Sequence, residues 1–109
     1  MPDIVLGEFE QMVLLSLTRL GSEAYGVPIA EDIGARTGRE ISLGAVYKTL
    51  ERLEDKGLVA SRIGDPTPER GGRRKKHYRI AASGQRALRQ SIAAIRNMAD
   101  GLESELKLP

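Results

Sequence analysis

Apolar positions recur at spacings of three and four in four stretches of the chain and at a spacing of two in two short runs. In residues 6–20, LGEFEQMVLLSLTRL, the stripe is Leu6, Phe9, Val13, Leu17 and Leu20, widened by Met12, Leu14 and Leu15. So broad a surface predicts a helix buried on more than one side, with a second subunit able to supply one of them. Gly21 stops it. Residues 25–37, YGVPIAEDIGART, predict a shorter second helix with Pro28 in its first turn, Ile29 and Ile33 inward, and Glu31, Asp32 and Arg36 toward water. Gly34 costs that helix about 1 kcal/mol relative to Ala, and Gly38 closes it.

Residues 41–57, ISLGAVYKTLERLEDKG, predict the third helix. Leu43, Val46, Leu50 and Leu53 form its apolar stripe, Ser42 is its N-cap, and Gly57 supplies the left-handed residue that ends it. Two helices joined through only Gly38–Ile41 match a helix-turn-helix. Residues 58–63, LVASRI, and 75–81, KKHYRIA, alternate as strands, with the Pro- and Gly-rich GDPTPERGGRR between them as a hairpin loop. Residues 83–106 predict one long last helix in which Leu88, Ile92, Ile95, Ala99, Leu102 and Leu106 step by four and three. The expected fold class is therefore mainly α with a small two-stranded β-wing, a winged helix-turn-helix over 1–81 and a C-terminal dimerisation helix over 82–109. A helix of roughly 35 Å overhangs a core of three short helices, so its far half is expected on a second copy of the chain.

Composition narrows the function. With 109 residues there is room for one core. No apolar run is long enough to span a membrane. An N-terminus that carries acids rather than basic residues argues against a signal peptide. The lack of Cys removes disulfides and thiolate metal sites and fits a cytoplasmic location. His77, the one His, has no carboxylate near it in sequence, and no His/Asp/Glu cluster has metal-ligand spacing, so neither an enzyme nor a metal or cofactor site is expected.

The net charge of +2 says little until its distribution is read. Residues 70–79, RGGRRKKHYR, hold Arg70, Arg73, Arg74, Lys75, Lys76 and Arg79 without an acid. On a hairpin beside a helix-turn-helix, such a block is suited to phosphates, and Tyr78 is suited to anchoring the hairpin base in the core. Base reading would fall to the third helix through Ser42, Gly44, Ala45, Tyr47, Lys48 and Thr49, with Arg52 farther along. Tyr47 can bond a phosphate or pack as a half-buried ring against the wing. A winged-helix module that binds a protein partner is the rival reading, since a near-neutral chain does not demand nucleic acid.

The segments LGEFEQMVLLSL, AYG, SLGAVYKTLERLEDKGLV, ERGGRRKKHYRI and ASGQRAL, in this order, resemble the PadR family of bacterial transcriptional regulators over nearly the whole chain. The likeness is to short members with a single C-terminal helix. It implies a homodimeric repressor on double-stranded DNA, dimerised through the last helix and the first, with Phe9 and Met12 joining the stripe Leu88 to Leu106 at the seam. A small-molecule effector, which several members sense, would sit in that seam near Phe9, Met12 and Met98. Two positions depart from the family pattern. Ala81-Ala82-Ser83-Gly84 stands where members often have Thr-Pro-Ala-Gly, and Lys48 stands where many have Pro. The Trp around which some relatives build a drug pocket is absent.

Overall fold

A computed structural model of the chain describes residues 5–64 and 75–109. Its elements are α1 (Glu8–Leu20), a 3-10 turn (Gly21–Glu23), α2 (Gly26–Thr37), α3 (Leu43–Asp55), β1 (Val59–Ile63), β2 (Lys76–Ile80), α4 (Ala82–Ala99) and α5 (Glu103–Leu106). The middle of the hairpin loop, including Arg70, Arg73 and Arg74, lies outside the described residues.

The width of the apolar surface on α1 has a direct counterpart in packing. This helix contacts α2, α3, α4 and β2, and Val13, Leu14 and Leu17 are fully enclosed. Around them close Ile29 and Ile33 of α2, Val46, Leu50 and Leu53 of α3, and Val59, Tyr78, Ala87 and Leu88. β1 and β2 pair antiparallel with Val59 opposite Ile80 and Arg62 opposite His77. The Tyr78 amide also donates to the Ala24 carbonyl at 2.9 Å, which ties the hairpin to the segment between α1 and α2.

Polar groups under this core are paired. Glu10 is buried, and its carboxylate accepts from the Gly7 amide at 2.9 Å and from Lys56 Nζ at 2.8 Å. Asp32, expected in water, instead accepts from Ser16 Oγ at 2.8 Å and from Arg19 and Arg36 at 2.9 Å each. The helical spacing does put Asp32 off the apolar stripe, but α1 crosses α2 there and brings Ser16 and Arg19 over it.

The last helix is shorter than its heptad-like stripe predicts. α4 stops at Ala99, because Asp100 turns to ψ 129° and Gly101 takes φ 84°; a separate single turn, α5, follows. Its 18 residues span about 27 Å at about 1.5 Å each. Gly101 is the cause visible in the sequence, since a left-handed residue interrupts the i to i−4 ladder at no steric cost.

Both of these paired carboxylates couple stability to pH. Burial alone pushes the Glu10 carboxyl up, but the hydrogen bonds from Lys56 and Gly7 and the charges of Lys56 and Arg52 together hold it below 4.5. Burial acts likewise on Asp32, and the bonds from Ser16, Arg36 and Arg19 outweigh it and hold that carboxyl below 3.8. A carboxyl depressed in the folded state stabilises above its unfolded value and loses that contribution as pH falls through the folded one. Urea midpoints measured from pH 6 downward are therefore expected to drop below about pH 4.5, and Glu10→Gln should flatten the upper part of that slope.

Candidate nucleic-acid interface

The candidate reading helix, α3, is built as the sequence suggests at its ends and differently along its flanks. Ser42 Oγ accepts from the Ala45 amide at 3.1 Å and closes the first turn. At the other end the Gly57 amide donates to the Glu54 carbonyl and the Leu58 amide to the Leu53 carbonyl, both at 2.9 Å, with Gly57 at φ 76°. That pair of bonds is a Schellman stop, and the buried Leu53 and Leu58 supply its apolar contact. On the flanks, Leu43 is 41% exposed while Thr49 is only 5% exposed. Thr49 is thus withdrawn as a base-contacting residue: packing against α1, α2 and β1 covers its side of α3.

The open face of α3 carries Ser42, Gly44, Ala45, Lys48 and Arg52, all exposed, with Glu51 just before Arg52 and Asp55 beyond it. The acids divide the helix. A phosphate backbone is favoured beside Lys48 and Arg52 and disfavoured beside Asp55, so the N-terminal turns are the part suited to a major groove. Gly44 and Ala45 keep that end slim, and no heavy atom lies within 4 Å of where a Cβ on Gly44 would stand.

Among the described residues, Tyr47 packs on the start of α2. Its ring sits over Gly26 at the start of α2, where a Cβ would fall 2.4 Å from Cζ, and the ring stays 38% exposed. Gly26 is a residue that sequence reasoning missed; the signal was a Gly one position after Tyr25, at the start of a helix it would otherwise weaken. The hydroxyl end of the ring makes the contact, its oxygen as near that position as Cζ, and so holds α3 to the start of α2.

Wing cations are splinted as well as presented. Lys75 Nζ lies 3.2 Å from Tyr25 Oη and 4.5 Å from the centre of that ring. Lys76 Nζ lies 3.6 Å from a Glu54 oxygen, and Glu54 also accepts from Ser61 Oγ. Both lysines therefore hold the hairpin base to α2 and α3 in addition to carrying charge. His77 packs edge-on against Tyr25 with centroids 5.5 Å apart. Arg62 and Arg79 project from one face of the hairpin, set diagonally by the register, and neither is in an ion pair among the described residues. They belong with the candidate interface; Arg79 lies in the cationic block, whereas Arg62 is a residue sequence reasoning missed.

The proposed seam is only partly brought together. Leu88 is buried in its own domain and Ile92 is half-buried there, whereas Ile95, Met98, Leu102 and Leu106 are 61%, 78%, 45% and 57% exposed. Ala99 is half-buried at the end of α4, and Met12 packs on the core. Phe9 packs on the core too and lines a shallow groove with Glu40, Ile41, Ser42 and Ala45 at the opening of α3. The helical turn of α1 puts Leu15 and Thr18 beside α4 instead, in a groove of about 520 Å³ shared with Leu88, Ile92 and Arg96.

Three packed helices, an open-faced third helix and a cationic antiparallel hairpin define a winged helix-turn-helix, a DNA-binding fold. The model of the transcriptional regulator PadR-like family matches residues 13–90, and the chain belongs to that family, whose members are regulators and not enzymes. It is 32% identical over 80 residues to Transcriptional regulator Rv3488 of Mycobacterium tuberculosis, covering 72% of this chain and 68% of that one. A PadR family transcriptional regulator from Eggerthella lenta shares 30% identity and superposes with a TM-score of 0.66 over 94% of this chain and 88% of that one. A transcriptional regulator from Clostridium thermocellum, at 24% identity, has the same fold with a TM-score of 0.69 over 87% and 89%. Among the described residues no helix is long and apolar enough to cross a membrane.

Two substitutions check the geometry of α3. Ser42→Ala should cost about 1 kcal/mol in a urea melt through loss of the cap. Thr49→Val should leave DNA affinity unchanged because its side chain is buried, whereas Lys48→Ala should weaken binding in a titration against the same duplex.

Proposed function

We propose that the protein is a homodimeric repressor that binds an inverted-repeat operator on double-stranded DNA near its own gene, acting in the cytoplasm. The observation that carries this reading is the exposed face of α3, acid-free through its first two turns, with Lys48 and Arg52 one helical turn apart beside a cationic hairpin. In the dimer, two such helices enter successive major grooves about 34 Å apart. Arg62, Lys75, Lys76 and Arg79, with Arg70, Arg73 and Arg74 of the loop, grip phosphates on either side. Phosphate contacts set register and supply affinity, while the few short side chains of α3 supply modest base reading.

The second copy is called for by the far half of α4. Ile95 and Met98 form an apolar surface that the chain's own core leaves uncovered, and Leu102 and Leu106 continue it past the break. A small-molecule effector is best accommodated in the groove between α1 and α4, against Leu15, Leu88 and Ile92. Occupancy there would bear on both the dimer and the reading head, because α1 packs on each.

Titration of the purified chain against the duplex upstream of its own gene tests the proposal. A dimer at micromolar concentration and a steep linear fall of log affinity with log salt are expected. A monomer that fails to bind that duplex at low salt would overturn it. Replacing Arg73, Arg74, Lys75 and Lys76 together by Ala should lower affinity for all sequences, reducing the salt slope by about one for every phosphate no longer neutralised. Sedimentation of that variant should still show the dimer.

A further inference from the structure

The turn that ends α3 is bonded on two sides to the helices expected to carry the second copy. Lys56, the C-cap residue of α3, reaches back to the buried Glu10 of α1 at 2.8 Å. The next two carbonyls face the start of α4. Ser83 Oγ donates to the Gly57 carbonyl at 2.7 Å, and the Ala81 amide donates to the Leu58 carbonyl at 2.9 Å. Gly84 then lies so close that a Cβ on it would stand 2.2 Å from the Leu58 oxygen and 2.9 Å from Ile80 Cγ1.

These contacts explain an oddity at the start of α4. Its N-cap is Ala81, with no side-chain bond to the helix, although a Ser stands two residues on. The Ser83 hydroxyl is committed to the end of the reading helix instead of to its own. The end of α3 and the beginning of α4 therefore meet directly: the Schellman stop, two hydrogen bonds and a backbone-to-backbone contact only glycine allows join them.

We propose that Ser83 and Gly84 are positioning residues that fix the direction of α4 relative to α3 and so set the half-site spacing the protein accepts. The inference rests on the homodimeric reading above. If α4 carries the partner, any tilt of α4 at its first turn is multiplied along its length and swings the second reading helix out of phase with the DNA. One base pair more or less between half-sites moves the second site by about 3.4 Å and rotates it by about 34°. A junction held by hydrogen bonds and close packing resists such an adjustment; a loosened one tolerates it.

The test uses the full-length chain, as wild type, Ser83→Ala, Ser83→Thr and Gly84→Ala, titrated against a single half-site, the operator, and operators with one base pair added or removed at the centre. Sedimentation reports the dimer. Ser83→Ala should bind the half-site as wild type does and lose about fivefold on the operator, the worth of one hydrogen bond. It should also discriminate less between the operator and its respaced versions. Ser83→Thr, which keeps the hydroxyl, should restore the wild-type discrimination. Gly84→Ala should shift or erase the spacing preference more strongly, and if it does not fold, the two Ser83 variants decide. A dimeric Ser83→Ala with unchanged spacing discrimination would overturn the proposal, as would equal losses on half-site and operator, which mark general damage to the reading head. A wild type that is monomeric refutes the homodimeric reading itself, and is told apart by sedimentation before any variant is made.

Discussion

The end of α3 is where this molecule is most constrained. A helix that reads DNA must hold one face in the core and leave the other open, so its position depends on what grips its ends. Here Gly57 turns the chain left-handed and Leu58 drops into the core, and the two carbonyls so exposed are taken up by the start of α4. Lys56 meets a carboxylate from α1 at the same place. Stopping the helix, seating the hairpin and launching α4 are one set of contacts. The bare backbone of Gly84 is the condition for the approach of α4, because a Cβ there would collide with the Leu58 carbonyl.

Charge does two jobs in this fold, and burial separates them. Glu10 is buried and Asp32 partly so, each with its donors in place, and they hold α1 to α3 and to α2. Outside, Lys48, Arg52, Arg62 and Arg79 are exposed. Lys75 and Lys76 lie between these cases, each held by a ring or carboxylate at the base of the hairpin. Glu51 and Asp55 set negative charge beside and beyond Arg52, so the first two turns of α3 are the part free of acids.

Much of this was legible in the chain. Period and punctuation alone gave the three helices, the two strands, the Ser42 cap and the Gly57 stop, because each follows from a local preference: a side-chain oxygen at a helix start, a residue free to take positive φ at its end. The cationic hairpin and the open N-terminal face of α3 were visible for the same reason, since charge runs and helical faces are properties of neighbouring residues. Gly101 is legible as a weak point of the last turns, but the heptad-like stripe continues beyond it, so the segment reads as one helix.

The sequence by itself determined which segments form helices and strands, that one face of α3 is apolar, and where positive charge gathers. Only the tertiary structure decided which flank of α3 is covered, and so that Thr49 is inside and Leu43 outside. It likewise decided that Phe9 lies near α3 and Leu15 beside α4, that Asp32 is enclosed by α1, and that Tyr47 needs Gly26 beneath it. The physical reason is common to all of these. Periodicity fixes the face on which a residue lies, but which neighbour covers that face depends on how helices cross, and that is set by contacts between residues as far apart as Ser16 and Asp32 or Gly57 and Ser83.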